Sequence, residues 1–276
     1  MNGTDDEGIP AVGPQPRSSL PPWPVKIEVR GTSEMLMDSM LIVGFPTHGL
    51  VGSITTAFLV DALKMAPLAE VDSEALPPTV TMRDGLVESP IHIYASGVVC
   101  GPDKKCSQLL VAVSEIQPEP ALLNPLGTAI VAWAEDRGVR MILVVEGEPT
   151  ETPSAQEQLQ VVAIANKAGA SILKSSGFLP ASGMLTGFGA AILRAGLHRE
   201  IPILCLVAET TGGHPDARAA AKIIESIQPM VPQISLDPEP LRQQAQLIEA
   251  AQRKVLQGHR DSVRRLTSSE PADMYR

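Results

Sequence analysis

The sequence is poor in aromatic and basic side chains. Its 276 residues include two Trp, two Tyr and four Phe, and 22 Lys and Arg stand against 31 Asp and Glu, for a formal net charge of -9. A negative chain has the wrong sign for neutralising nucleic-acid phosphates, and so few rings cannot form a platform on which single-stranded bases stack. The composition therefore excludes nucleic acid as a partner.

Long apolar runs and paired cysteines are also missing. No stretch approaches the ~20 consecutive apolar residues of a membrane span, and the acidic N-terminus lacks the apolar core of a secretory signal. Cys100, Cys106 and Cys205 form no C-x-x-C pair, which is typical of a reducing compartment. These absences predict a cytoplasmic protein without a membrane partner.

Motifs for metal binding and nucleophilic catalysis are absent as well. The five histidines are scattered, with neither H-E-x-x-H nor a Cys/His cluster at zinc spacing, and no serine lies in a G-x-S-x-G motif. Glu146 and Glu148, past the end of a predicted strand, are the one carboxylate pair placed as in an α/β cleft, although most such pairs are solvated loop residues. The sequence predicts no metal, no cofactor and no catalytic residue.

What the sequence does contain is an alternation of apolar runs and amphipathic segments over about residues 40–230. Strands are predicted at 25–30, 40–43, 109–113, 139–145 and 203–207, and helices at 50–63, 122–137, 157–168, 187–195 and 216–228. Asp84-Gly85 lies between the apolar runs 79–83 and 86–94 and predicts a β-hairpin. This order predicts a single α/β domain with a mainly parallel sheet flanked by helices and an added hairpin.

The two ends of the chain differ in composition from the predicted domain at 25–236. Residues 1–24 carry six prolines among polar residues and are predicted to form a flexible arm. Residues 267–276 are polar, contain a proline and are predicted to form a flexible tail.

A long amphipathic helix is predicted at 237–266, between the domain and the tail. Asp237 is suited to cap its N-terminus, and Leu241, Ile248 and Val255 recur every seven residues. This apolar stripe can pack on the same domain or on another subunit.

A glycine-containing segment lies between the strand at 40–43 and the next helix. It reads Gly44-Phe45-Pro46-Thr47-His48-Gly49-Leu50-Val51-Gly52, and its candidate ligand-binding or structural residues are Gly44, Pro46, Gly49 and Gly52. Turns between a strand and a helix bind phosphates because a helix N-terminus presents unpaired amides. The segment lacks the Lys and Ser/Thr of a Walker A motif and the first glycine of a dinucleotide motif. It is therefore either a tight turn that needs small residues or a ligand loop. A similar turn at Gly212-Gly213 precedes Asp216, which is suited to cap the following helix.

The last three residues are Met274-Tyr275-Arg276, so one of the two tyrosines lies next to the chain terminus. An apolar residue and a Tyr ring beside a free carboxylate can be captured by a partner pocket. One short tail binds weakly because it is ordered on docking, and several tails on one oligomer recover affinity through effective concentration. The alternative is a frayed terminus.

In order and spacing, these segments resemble the PAC2 family of proteasome assembly chaperones, in its archaeal-type branch. The resemblance covers about residues 35–230 and is carried by Ile42-Val43-Gly44-Phe45-Pro46, Gly49-Leu50-Val51-Gly52, Met184-Leu185-Thr186-Gly187, Ile201-Pro202-Ile203-Leu204-Cys205-Leu206 and His214-Pro215-Asp216-Ala217. Thr47 and His48 depart from the family, which usually has a smaller residue there. The resemblance implies a single α/β domain that forms a homo-oligomer or pairs with a paralogue.

The tail resembles the hydrophobic–tyrosine–any motif with which activators and chaperones dock between α-subunits of the 20S proteasome. This resemblance implies that Met274 fills the apolar part of the pocket, that Tyr275 wedges into it, and that the Arg276 carboxylate meets a lysine. The predicted function is an ATP-independent, non-enzymatic assembly chaperone or proteasome-binding regulator. The alternatives are a nucleotide-dependent, ligase-like enzyme that uses the 44–52 turn, and an adaptor that delivers substrates to the proteasome.

Overall fold

The computed structural model describes six stretches of the chain: residues 24–30, 36–96, 108–150, 159–210, 213–231 and 235–245. The flexible arm predicted at 1–24 lies outside these stretches except for its last residue. So do most of the helix predicted at 237–266 and the whole tail with Met274, Tyr275 and Arg276. None of the helices within the described stretches has the length and apolar character needed to cross a membrane.

A nine-stranded mixed sheet forms the centre of the molecule. The strands of the described residues are β1 (Val25–Val29), β2 (Met40–Gly44), β3 (Ala66–Ser73), β4 (Thr81–Arg83), β5 (Leu86–Glu88), β6 (Ile91–Ser96), β7 (Leu109–Ser114), β8 (Met141–Pro149), β9 (Val161–Ala165), β10 (Leu179–Pro180) and β11 (Ile203–Thr210). Their order in the sheet is β1-β3-β6-β7-β2-β8-β11-β9-β10, and β4 and β5 form a separate hairpin.

Parallel pairing holds for the four central strands, β7, β2, β8 and β11, and for the pair of β9 with β10. The strands β1, β3 and β6 pair antiparallel along one side, and β9 pairs antiparallel with β11 on the other. The prediction of a mainly parallel sheet is therefore corrected to a mixed sheet. One reason is that the chain passes from β3 to β6 through the hairpin, and strands joined without a crossover helix run antiparallel.

Helices cover both faces of this sheet. They are α1 (Val51–Ala62), α2 (Pro120–Asp136), α3 (Ala170–Ser175), α4 (Gly187–Ala195) and α5 (Ala217–Ile227). On β2, Met40 and Ile42 belong to the core that contains α1 and α5, whereas Leu41 and Val43 belong to the core that contains α2 and α4. Because both faces are covered, the central strands read as continuous apolar runs, which is why they were predictable.

Two predicted elements differ from the structure. The helix predicted at 157–168 is wrong, since 161–165 forms β9, an inner strand between β11 and β10. The hairpin at Asp84-Gly85 is confirmed, but its second run, 86–94, is divided at Ser89 and Pro90 into β5 and β6. The strands β3 and β10 and the short helix α3 were not predicted.

The last described residues begin a helical segment at 239–245. Asp237 accepts a hydrogen bond from the Glu239 amide at 3.0 Å, which agrees with the predicted cap. Leu241 and Ala245 are buried, and Leu241 packs into the same core as α1 and α5. The start of this helix therefore packs on its own domain.

Candidate functional site

The four central strands end at one edge of the sheet, and the 44–52 segment lies there. It follows β2 and leads through a 3-10 turn, His48–Leu50, into α1. Glu146 near the end of β8 and Thr210 at the end of β11 lie beside it. In open α/β sheets, ligands bind outside the carboxyl ends of the parallel strands. This edge is therefore the candidate functional site.

Close packing accounts for Gly44 and Gly52. A Cβ on Gly44 would lie 2.4 Å from the Gly52 carbonyl oxygen, and a Cβ on Gly52 would lie 2.8 Å from the Val145 carbonyl oxygen. The Thr56 hydroxyl is within hydrogen-bond distance of the carbonyl oxygens of Gly44 and Gly52, at 3.1 and 2.9 Å. The strand β2 and the helix α1 thus approach each other to a distance that leaves no room for a side chain.

Gly49 ties the turn to β11 and α5. Its φ of 62° lies in the left-handed region, and a Cβ there would lie 2.2 Å from Thr210 Oγ1. Its carbonyl oxygen accepts a hydrogen bond from the Asp216 amide at 2.8 Å. The Asp216 carboxylate in turn accepts hydrogen bonds from Thr210 Oγ1 and from the Ala219 amide, both at 3.1 Å, and so caps α5 as predicted.

Pro46 is placed differently from the three glycines. Together with Thr47 it lines a cleft of about 270 Å³ between the N-termini of α2 and α4. The cleft is also lined by Gln117, Pro118, Glu119, Pro120, Leu123, Gly187 and Phe188. Gly44, Gly49 and Gly52 do not line it, so the structure separates the four predicted loop residues into one cleft residue and three packing residues.

Glu146 is a buried carboxyl group beside this cleft. Its Oε1 accepts a hydrogen bond from the Gly189 amide in the first turn of α4, at 2.5 Å. Burial raises the pKa of Glu146 to about 7, although the Gly189 amide and the nearby Thr47 hydroxyl favour the charged form. The buried Thr47 hydroxyl lies near the Glu146 carboxyl group, but its oxygen does not reach hydrogen-bond geometry with any group of the described residues. Sequence analysis missed this burial, although Glu146 directly follows the apolar run of β8.

The surroundings of Glu146 are tightly packed and apolar. A Cβ on Gly189 would lie 2.8 Å from Glu146 Cγ and 3.1 Å from Cys205 Sγ. Phe45 and Phe188 stack with ring centroids 4.1 Å apart. Burial raises the pKa of the Cys205 thiol well above its usual value, and a thiol of that kind is a poor nucleophile. In these surroundings the described hydrogen bond of Glu146, from the Gly189 amide, stabilises the start of α4.

A second group of ionisable side chains lies between the hairpin and the main sheet. Glu70, Glu88 and His92 place potential ligand atoms within 4.8 Å of one another. Arg30 forms ion pairs with both carboxylates, and Arg83 forms one with Glu88. Two guanidinium groups thus balance two carboxylates, and a metal ion would have to displace an arginine. Burial lowers the pKa of His92, so its imidazole is neutral near pH 7. The absence of a metal site stays a prediction.

Comparison with known proteins gives consistent results. The chain is similar to PbaA of Pyrococcus furiosus, an archaeal homolog of proteasome-assembly chaperone, with 25% identity, a TM-score of 0.72, and coverage of 88% of this chain and 96% of that one. PbaB of the same organism, an archaeal proteasome activator, has the same fold, with 22% identity, a TM-score of 0.71 and coverage of 84% and 98%. An uncharacterized protein of Methanocaldococcus jannaschii is 24% identical over 221 residues, which are 80% of this chain and 86% of the relative. Residues 41–256, most of the chain, match the PAC2 family, and the chain therefore belongs to that family.

Proposed function

We propose that the protein is a proteasome assembly chaperone or a proteasome-binding regulator, and that it docks on the α-ring of the 20S proteasome through its C-terminal tail. The observation that carries this proposal is membership of the PAC2 family over residues 41–256. The similarity to a homolog of a proteasome-assembly chaperone, over 88% of the chain, supports it.

The docking residues of the proposal are Met274, Tyr275 and Arg276. Met274 supplies apolar surface, Tyr275 supplies a ring with a hydroxyl group, and Arg276 supplies the terminal carboxylate. The body, as a homo-oligomer or paired with a paralogue, presents several tails to one ring of α-subunits and so raises their effective concentration.

We infer that the body acts without catalysis. Gly44, Gly49 and Gly52 approach protein atoms so closely that packing explains them, and the 44–52 turn has no lysine for a phosphate. Glu146 is committed to the first turn of α4, and the buried thiol of Cys205 is held in its neutral form. These observations support a scaffold rather than a nucleotide-dependent enzyme.

Removal of residues 274–276 tests the proposal. We expect the truncated protein to lose at least about tenfold in affinity for 20S particles in a co-sedimentation titration, because aromatic anchors dominate such contacts. Tyr275→Ala should show a similar loss. The double variant Ser268→Ala/Ser269→Ala, which changes the preceding segment but keeps the three docking residues, is the matched control and should bind normally. If the truncated protein bound 20S particles as tightly as the wild type, the proposal that the tail docks on the proteasome would be wrong.

A further inference from the structure

The hairpin of β4 and β5 carries a concentration of exposed apolar side chains. The exposed fractions are 55% for Val80, 80% for Met82, 70% for Leu86 and 68% for Val87. Met82 is paired directly with Val87, so these two side chains lie on the same face of the hairpin, and Val80, two residues earlier, joins them. We call the surface formed by Val80, Met82 and Val87 the ribbon face. A grouped apolar surface of this kind marks an interaction site.

The opposite face of the hairpin contacts the main sheet through two of its side chains, while Leu86, which pairs with Arg83 on that face, is exposed. Arg83 and Glu88 lie on that face, because the register alternates from the Met82–Val87 pair. Arg83 donates a hydrogen bond to the Tyr94 hydroxyl at 3.1 Å, and Glu88 accepts one from Arg30 at 2.9 Å. These contacts hold the hairpin in one orientation and turn the ribbon face outward.

The hairpin is also incomplete as a sheet. Within the described residues, β4 and β5 pair only with each other, so each strand has an edge without a strand partner. Two-stranded ribbons are marginally stable alone, and free strand edges favour pairing with another chain. The ribbon face and its edges therefore favour a protein partner over a small ligand.

We infer that the ribbon face is a contact between two copies of this chain related by a two-fold axis. Each copy carries a net charge of -9, so copies repel each other except where the facing surfaces are uncharged. The ribbon face, Val80, Met82 and Val87, has no charged side chain, because the charged residues of the two strands, Arg83 and Glu88, lie on the opposite face. A two-fold axis brings the same patch of both subunits together, so the apolar ribbon face of one copy meets the apolar ribbon face of the other.

The inference rests on the proposed function in one respect, since several tails can dock together only if copies associate. Its test does not involve the proteasome. Met82→Lys/Val87→Lys places charge on the ribbon face, and Leu179→Lys/Met184→Lys is the matched control on exposed apolar residues near β10. Both double variants make the chain less negative by the same two charges, so a difference between them cannot come from general repulsion.

Sedimentation equilibrium over a range of concentrations measures the association. We expect the wild-type protein and the control to exceed the monomer mass of 29.2 kDa. We expect the ribbon-face variant to dissociate with a constant raised by a factor on the order of 100, corresponding to two lost anchors. Melting temperatures should be equal, since both changes are at exposed sites. Val87→Cys should in addition form an intermolecular disulfide on oxidation, whereas Met184→Cys should not exceed the wild-type background.

Three results would overturn the inference. The wild-type protein could be monomeric at every concentration, the ribbon-face variant could associate as tightly as the wild type, or Val87→Cys could fail to cross-link. A monomeric wild type whose ribbon-face variant no longer sediments with 20S particles would show that this face binds another protein. The chain lacking 274–276 should self-associate with the same dissociation constant as the wild type. A failure of tail docking is therefore distinguishable from a failure of self-association.

Discussion

Gly49→Ala is expected to lower the free energy of unfolding by about 2–5 kcal/mol. The φ of 62° at Gly49 lies in the left-handed region, which costs a residue with a Cβ about 1–2 kcal/mol. The new Cβ would also lie 2.2 Å from Thr210 Oγ1, and overpacking of a closely packed site adds about 1–3 kcal/mol. Urea denaturation of the wild type and the variant measures the difference.

Gly85→Ala is the matched control for this prediction. Gly85 has a similar φ of 79°, but no atom lies within 4 Å of a Cβ placed there. Its substitution should therefore cost only the conformational part, about 1–2 kcal/mol. Equal losses for the two variants would show that the contact with Thr210 does not restrict the turn, and would leave Gly49 free for another role.

A rise in pH from about 4.5 to above 7 is expected to destabilise the protein through Glu146. Burial raises the pKa of Glu146 to about 7 from its ordinary value of 4.5. Over this interval the unfolded chain has released its proton while the folded chain retains it, so the contribution of Glu146 to stability is complete below pH 4.5 and is lost as the pH passes 7. The loss amounts to at most about 3 kcal/mol.

Glu146→Gln isolates this effect from the other titrating groups. The amide oxygen of glutamine can still accept the hydrogen bond from Gly189, but it does not ionise. His92 acts in the opposite direction, because burial lowers its pKa and its contribution to stability is present above its ordinary pKa of 6.5. The difference in unfolding free energy between the wild type and Glu146→Gln cancels His92. That difference should change across pH 5–8 in favour of the variant, and a constant difference would contradict the raised pKa.

The central strands were predictable because their environment leaves a direct trace in the sequence. Both faces of β2, β7 and β11 are covered by helices, so these strands are apolar except for Ser114, Glu209 and Thr210 at their carboxyl ends. The side strand β3 does not read as a continuous apolar run, because it contains Pro67 and because its apolar residues Ala69 and Val71 alternate with acidic ones. Short apolar runs are ambiguous in period, and this ambiguity explains why the inner strand β9 was mistaken for a helix.

The site was predictable only where a local rule applies. The caps at Asp216 and Asp237 and the turn at Asp84-Gly85 follow from the chemistry of a few neighbouring residues. The burial of Glu146 does not, because its hydrogen-bond donor, the Gly189 amide, lies 43 residues away on α4. The outward orientation of Met82 and Val87 is equally unreadable, since strand alternation does not say which face meets solvent.

The position of β2 has a consequence for synthesis of the chain on the ribosome. This strand is made before its neighbours β7 and β8, and β11, which completes the parallel core, is made last of the four. At about 5–20 residues per second, β2 waits roughly 10–30 s for the whole core to become available. During that interval an uninterrupted apolar strand, Met40–Gly44, has open edges, so the nascent chain is most prone to aggregate before its last parallel strand emerges.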